Sequence, residues 1–426
     1  MSSGYSFILP ALGGKARRLA AGWLTLGIAA LVAAGLFSIL LVMSRTPYIK
    51  DVIPWNNFFK TAMVVHVNLA VLMWFLPIAG LIWSFNSLDR NVKGGWLALW
   101  LAALGTAIVV LSPFAGSGEP LMNNYFPVID GPLFLTGLGI FGSGFALLVL
   151  RSLTSMSPLG AWNDGQTGLR IGVYTAVIAA AVALLSLIWA YFSIPDSLQG
   201  RMYYETLFWG SGHVLQFTHT LLMLVGWLWL ASAGGIRVPL TPRAVAVIFC
   251  MGVAWVFLAP WLYVSQDVTS LGFSVGFTRL MAAGGGLAAV PLGLVVLWGL
   301  IAGKDATDEQ GVYRTALTYS VGLFGVGGVL GLLIQGSNTL ITAHYHGSNG
   351  AITVAFMGLC YLLLPRLGFG EPRTRLANIQ LHAYAIGQFL HVLGLAWAGG
   401  YGMQRKIAGS GQTLENIQQT AGMAFN

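Results

Sequence analysis

The chain is a succession of apolar runs, each long enough to cross a lipid bilayer as an α-helix. Crossing about 30 Å of hydrocarbon takes about 20 helical residues, and the sequence contains eleven runs of that order. Their limits are 19–44, 59–85, 95–113, 132–151, 169–194, 203–233, 244–266, 275–302, 314–335, 338–365 and 377–400. Because only 8% of the residues are charged, a soluble domain is excluded. We therefore predict an all-α polytopic membrane protein, with a single membrane domain over residues 1–426 and a polar C-terminal tail at 401–426.

Basic residues in the loops predict how the chain is oriented in the membrane. With the N-terminus inside, fourteen of the 21 Lys and Arg residues lie on the inner side and seven on the outer side. Cytoplasmic loops carry such an excess, so we predict a cytoplasmic N-terminus in a bacterial or archaeal inner membrane. The formal net charge of +8 follows mostly from this bias. It predicts contact with membrane lipid and no nucleic-acid partner.

Four histidines fall at one predicted depth in three separate spans. His66 lies in the second span, His213 in the sixth, and His344 and His346 in the tenth. All three spans run from outside to inside, and a rise of 1.5 Å per residue puts the four side chains about 10–15 Å below the outer surface. Each one alone could cap a helix or bond a carbonyl. Ionisable residues inside spans are usually functional, and their common depth favours one joint site.

His344 and His346 are two residues apart, which corresponds to about 200° of rotation on an α-helix. Their rings therefore point to opposite faces, and one helix can offer a nitrogen ligand to a group on either side. Neutral imidazole is a standard ligand for haem iron and for non-haem metals. His391, in the eleventh span, could bond across helices or approach a quinone.

These segments resemble subunit I of the haem–copper oxidase superfamily, which includes oxygen reductases and nitric oxide reductases. The resemblance covers nearly the whole chain, and it rests on HVNLAVLMWF in the second span, WGSGHVLQF in the sixth, AHYHGSNGA in the tenth and MQRK after the eleventh. It implies about eleven helices of a fold that has twelve in the family. A partner subunit could supply the twelfth.

The resemblance also implies a role for each histidine of the shared depth. His66 and His346 would be the two axial ligands of a low-spin b-type haem, and His344 would be the proximal ligand of a high-spin haem. His213 would be one ligand of a non-haem iron or copper opposite that haem. On the outer side, the basic residues Arg405 and Lys406 would hold the haem propionates.

The sequence departs from the family at the second metal. The family adds two adjacent histidines near the outer end of the seventh span, where this chain reads APWLYVSQDVTSLGF. Counted without gaps, Asp267 and Val268 take their approximate place. A carboxylate can be an oxygen ligand for iron, or Asp267 can face water at a helix end. Both alternatives stay open from the sequence.

Further differences favour the nitric oxide reductase branch. Phe217 stands where many oxygen reductases have a tyrosine; Tyr263 is either a substitute or a membrane-interface tyrosine. Val295 ends VPLGLV, where the family's inner proton channel has a lysine, so protons are expected from the outside. Glu205 and Glu119 are candidate relays for them, or else solvated carboxylates.

Two functions remain open, with a transporter as a third that would need broken mid-membrane helices. The first is a terminal oxidoreductase in which a periplasmic cytochrome c or copper protein delivers electrons to the low-spin haem. From there they would reach the high-spin haem and reduce nitric oxide or oxygen. The alternative is a non-catalytic haem-b electron-transfer or sensor subunit that has lost the second metal. Either one is expected to assemble with other integral subunits.

Overall fold

Eleven long helices run through the part of the chain that the computed structural model describes, which is residues 5–44, 57–88, 91–116, 118–303, 306–405, 419 and 422. They are α1 (Gly14–Met43), α2 (Phe58–Phe85), α3 (Val92–Ala115), α4 (Pro132–Thr154), α5 (Gly165–Ser193), α6 (Gly200–Ala233), α7 (Pro242–Ser265), α8 (Leu271–Ala302), α9 (Asp308–Leu332), α10 (Thr339–Leu367) and α11 (Thr374–Gly400). The first ten are long and apolar enough to cross a membrane. The eleventh is 27 residues long. The predicted all-α polytopic fold is confirmed.

Burial separates the central helices from the outer ones. In the most apolar 18-residue stretch of α2, α6 and α10, 72%, 94% and 78% of the residues are buried, against 22% for α1. These three central helices carry the four histidines of the predicted common depth. The arrangement puts the candidate ligands in the middle of the bundle, away from surrounding lipid.

The start of α10 is fixed by a side-chain cap. The Oδ1 atom of Asn338 accepts a hydrogen bond of 2.9 Å from the backbone N–H of Leu340, which satisfies one of the free donors at the helix N-terminus. Thr339, the first residue of the helix, donates its hydroxyl to the carbonyl of Leu395 on α11 at 3.0 Å. The two bonds fix the beginning of the helical turn that carries His344.

A π-helical segment interrupts α2 at Asn68–Leu72, directly after His66. Pro77 lies inside the same helix, and because proline has no N–H it removes one bond from the helical ladder. Single π-helical turns occur frequently at functional sites. Here the wider turn directs the buried Asn68 side chain to the carbonyl of Pro127, at 2.7 Å, in the loop between α3 and α4.

That loop forms a short antiparallel hairpin, which the sequence analysis did not predict. Strand β1 (Glu119–Leu121) pairs with β2 (Val128–Asp130) in the register Glu119 to Asp130. Asn124 in its turn accepts a hydrogen bond from Arg405, which follows α11, at 2.7 Å. The hairpin and the end of α11 therefore lie on the same side of the bundle, the side predicted to face outward.

Candidate haem site

His66 is held on α2 by a backbone carbonyl of α1. Its Nδ1 lies 2.9 Å from the carbonyl oxygen of Ala34. A carbonyl only accepts, so Nδ1 carries the ring proton and Nε2 presents its lone pair. Ligating histidines usually have such a partner on the second nitrogen, because it fixes both the tautomer and the ring orientation. His66 therefore has the form required of an axial ligand.

His346 faces His66 from α10 and has its own partners on α11. The two rings are close enough to interact electrostatically, and the Gln388 side chain comes near the His346 ring. The His391 ring meets His346 edge-on, with 4.5 Å between ring centroids and 83° between planes. The His66 and His346 rings thus lie near each other, and imidazole is a suitable axial ligand for haem iron.

His344 points to the other face of α10, toward α9. Its Nδ1 lies 2.7 Å from the carbonyl oxygen of Gly327. One helical turn further on, a Cβ atom at Gly331 would lie 2.7 Å from the same Nδ1, so only glycine fits beneath the ring. The carbonyl again fixes the tautomer and leaves Nε2 free to bind iron. His344 and His346 therefore serve opposite faces, as their spacing predicts.

His213 is buried on α6 among aromatic rings. Its Nδ1 lies 2.7 Å from the Trp209 carbonyl oxygen in its own helix. The ring centroid is 4.7 Å from that of Trp209, 4.8 Å from that of Tyr125 and 5.9 Å from that of Phe277. Gly212 makes this packing possible, because a Cβ there would overlap the Tyr125 ring. The surroundings of His213 are mostly apolar.

Asp267 does not join His213, and this part of the sequence interpretation needs correction. The carboxylate is exposed in the turn between α7 and α8, where its Oδ1 accepts hydrogen bonds from the N–H and hydroxyl of Thr269 at 2.8 and 2.5 Å. These bonds lower the pKa of Asp267. Among the described residues no group of three or more His, Cys, Asp or Glu side chains could hold a metal ion. The residues around His213 do not fit a second metal, because the one carboxylate of the turn beyond α7 is hydrogen-bonded to Thr269 within that turn.

Tyr263 on α7 is not a membrane-interface tyrosine. The side chain is 7% exposed, and its hydroxyl has no hydrogen-bond partner among the described residues. The hydroxyl approaches Gly210, three residues before His213, and the ring packs 5.7 Å from Phe277. A buried phenol without a partner is costly. Tyr263 therefore brings a polar group to the same aromatic region as His213.

A polar network covers this region from the outer side. Both the N–H and the side-chain amide of Asn124 bond the Glu205 carboxylate, the first at 2.9 Å. Arg405 donates to the Asn124 side chain and lies close enough to interact electrostatically with Tyr345, which stands between the two histidines of α10. Burial, and then the charge of Glu205, raise the pKa of Tyr125 well above its ordinary value. That phenol is therefore protonated at neutral pH.

The role predicted for Arg405, holding haem propionates, stays a prediction, although its place above α10 agrees with it. Lys406 lies outside the described residues. Glu119 is exposed in β1.

Sequence reasoning missed the groups that hold the histidines in place. The carbonyls of Ala34 and Gly327 leave no mark on the sequence, because every residue has one. The glycine-rich stretch of α9, GLFGVGGVLG, was the one available signal of close helix packing. Tyr125 was missed because it reaches His213 from a loop 88 positions away in the sequence.

The described structure is that of a helical membrane protein with imidazoles on both faces of one central helix. The chain matches the family model of cytochrome c and quinol oxidase polypeptide I over residues 18–425, and it belongs to that family. Members of the family generally bind haems.

Two relatives also match most of the chain. An uncharacterized protein of Rickettsia prowazekii (strain Madrid E) is 28% identical, over 91% of this chain and 88% of its own length. An uncharacterized protein of Aquifex aeolicus (strain VF5) is 30% identical, over 82% of this chain and 85% of its own length. The region that the family model matches includes all three helices that carry the four histidines of the predicted common depth.

Proposed function

We propose that this chain is the haem-carrying subunit of a respiratory membrane oxidoreductase. His66 and His346 would hold a low-spin haem, and His344 would hold a high-spin haem whose open side takes nitric oxide or oxygen. The observation that carries the proposal is the pairing on α10, since each of its histidines is backed by a different neighbouring helix. Haem supplies one-electron transfer and an iron position open to small gases.

The chain's own residues orient the ligands and exclude water. The carbonyls of Ala34 and Gly327 hold the Nδ1 protons of His66 and His344, so that Nε2 of each ring points to its ligand position. The aromatic rings around His213 would exclude water from the side opposite His344. A buried imidazole in such a pocket can hydrogen-bond a small polar ligand.

Protons would come from the outer side, which favours the nitric-oxide-reductase-like branch. Glu205 lies at the outer start of α6 and bonds the turn that carries Tyr125, and the Tyr125 ring contacts His213. The loop that carries Tyr125 thus lies between Glu205 on the outer side and the buried pocket of His213. The electron donor would dock on the same side as a periplasmic cytochrome c or copper protein, and other integral subunits would complete the assembly in the inner membrane.

A second function is favoured by the environment of His213. The Asp267 carboxylate is hydrogen-bonded within the turn beyond α7 and does not complete a second metal site. The residues present therefore support a haem-b electron-transfer or sensor subunit as the alternative. Such a subunit would bind a gas at the His344 haem without reducing it.

Three measurements on the purified protein distinguish these functions. They are the haem content, the carbon monoxide difference spectrum of the reduced form, and the consumption of nitric oxide or oxygen with a reduced artificial donor. Two haems, carbon monoxide binding and gas consumption are expected for the reductase. Two haems and carbon monoxide binding without consumption would favour the sensor or electron-transfer subunit. A haem-free protein would overturn both.

A further inference from the structure

The low-spin haem ligand His346 is surrounded by side chains of α11 as well as by His66. Gln388 and His391 are three residues apart on that helix, so both lie on one face, which is turned toward α10. The Gln388 side chain comes near the His346 ring, and the edge of the His391 ring packs against it at a centroid distance of 4.5 Å. Two side chains of a neighbouring helix therefore contact one imidazole.

The packing of α10 against α11 fixes this contact. Above it, the Thr339 hydroxyl bonds the Leu395 carbonyl at 3.0 Å, and a small apolar cluster of Ala343, Val392 and Leu395 fills the interface. The helices also approach closely at Gly399, where a Cβ would overlap the backbone of Leu340. Because this hydrogen bond and the close packing join α11 to α10, Gln388 and His391 are held near His346.

We propose that Gln388 and His391 are positioning residues for His346: Gln388 sets how strongly the imidazole donates to iron, and His391 sets the plane of its ring. The inference rests on the proposed low-spin haem. Nε2 of a ligating imidazole must present its lone pair, so the proton is on Nδ1, and in this proposal the amide oxygen of Gln388 is its acceptor. Such a bond makes the ring a stronger donor, as partners of metal-bound histidines generally do.

The two residues act on different observables. A stronger donor stabilises ferric iron, so removal of the Gln388 amide is expected to raise the midpoint potential of the low-spin haem. The edge of the His391 ring restricts rotation of His346, and the relative planes of the two axial imidazoles determine the ferric electron paramagnetic resonance (EPR) g-values. Replacing His391 with alanine is therefore expected to shift or broaden the low-spin signal.

Helix α11 supplies matched controls for both substitutions. Gln380 is bonded to Tyr361 on α10 rather than to a histidine, and His382 bonds the Asn378 carbonyl of its own helix at 2.7 Å. The test compares Gln388→Leu with Gln380→Leu and His391→Ala with His382→Ala in the full-length purified protein. Haem content, midpoint potential and the ferric EPR spectrum are measured for each. His391→Phe is the conservative variant, because it keeps a ring edge against His346.

The expected result has three parts. Gln388→Leu raises the potential, His391→Ala shifts the low-spin g-values, and His391→Phe restores them toward those of the unmodified protein, while both controls leave potential and spectrum unchanged. Spectra and potentials that match the controls would overturn the proposal. Loss of the low-spin haem in His391→Phe would also overturn it, because His391 would then be a ligand. Absence of a low-spin haem from the unmodified protein would instead overturn the proposed function.

Discussion

A single methyl group at Gly331 is expected to weaken the high-spin haem site without affecting the low-spin one. The Cβ of Gly331→Ala would lie 2.7 Å from Nδ1 and 2.8 Å from Cε1 of His344, whereas ordinary contact begins at 3.4 Å. The ring must therefore move by about 0.7 Å away from α9. This movement lengthens the distance from Nδ1 to the Gly327 carbonyl oxygen from 2.7 Å to at most about 3.4 Å, so the hydrogen bond becomes much weaker.

Weakening of that bond has a measurable cost. A hydrogen bond of this kind contributes about 0.5–1.5 kcal/mol, and removing the partner of a ligating histidine typically costs about 10–100-fold in metal affinity. We expect a loss of that order in high-spin haem affinity. The low-spin haem should stay, because His346 faces the other side of α10.

The assay is carbon monoxide binding to the reduced protein, expressed per total haem. Gly328→Ala is the matched control, because it adds the same methyl group to the same helix at a position with nothing within 4 Å. Carbon monoxide binding in Gly331→Ala equal to that in Gly328→Ala would refute the reasoning, since the ring of His344 would then not depend on the space above Gly331.

Three further changes test separate parts of the site. Asp267→Asn is expected to leave haem content and carbon monoxide binding unchanged, because the carboxylate caps its own turn; lost binding would return Asp267 to the site. Gly212→Ala is expected to push the Tyr125 ring away from α6 and change carbon monoxide rebinding after photolysis severalfold. Gly139→Ala, with open space around its Cβ, is the control, and equal rates in the two variants would exclude a role for the ring. Asn68→Leu is expected to lower the free energy of unfolding in detergent by about 1–3 kcal/mol, because a buried carbonyl of the hairpin loses its donor; an unchanged denaturation midpoint would mean that the hairpin does not need this bond.

The helices could be predicted from the sequence because hydropathy is local: about 20 consecutive apolar residues identify a span whatever surrounds them. The opposite faces of His344 and His346 follow from helix geometry alone in the same way. Which helices lie at the centre could not be read so directly. The burial of α6 depends on what packs around it, and its sequence is less apolar than that of the peripheral α1.

The part of the candidate site that consists of histidine side chains could be predicted from the sequence. His66 and His346 were found because imidazole inside a span is rare, whereas their partners on α1 and α11 depend on three-dimensional packing. Of the two alternatives left open for Asp267, the structure agrees with the water-facing carboxylate, which a count along the sequence could not select because it cannot tell a helix end from the turn beyond it. Asp267 lies in that turn, where its nearest donors are two residues away.

The most direct test of the whole account is a pair of optical spectra, one for His344→Ala and one for His346→Ala. His344→Ala is expected to abolish carbon monoxide binding and to retain the low-spin haem bands. His346→Ala is expected to lose those bands and to retain a haem that binds carbon monoxide. Identical loss in both variants, or carbon monoxide binding that survives in His344→Ala, would contradict the claim that α10 holds a different haem on each face.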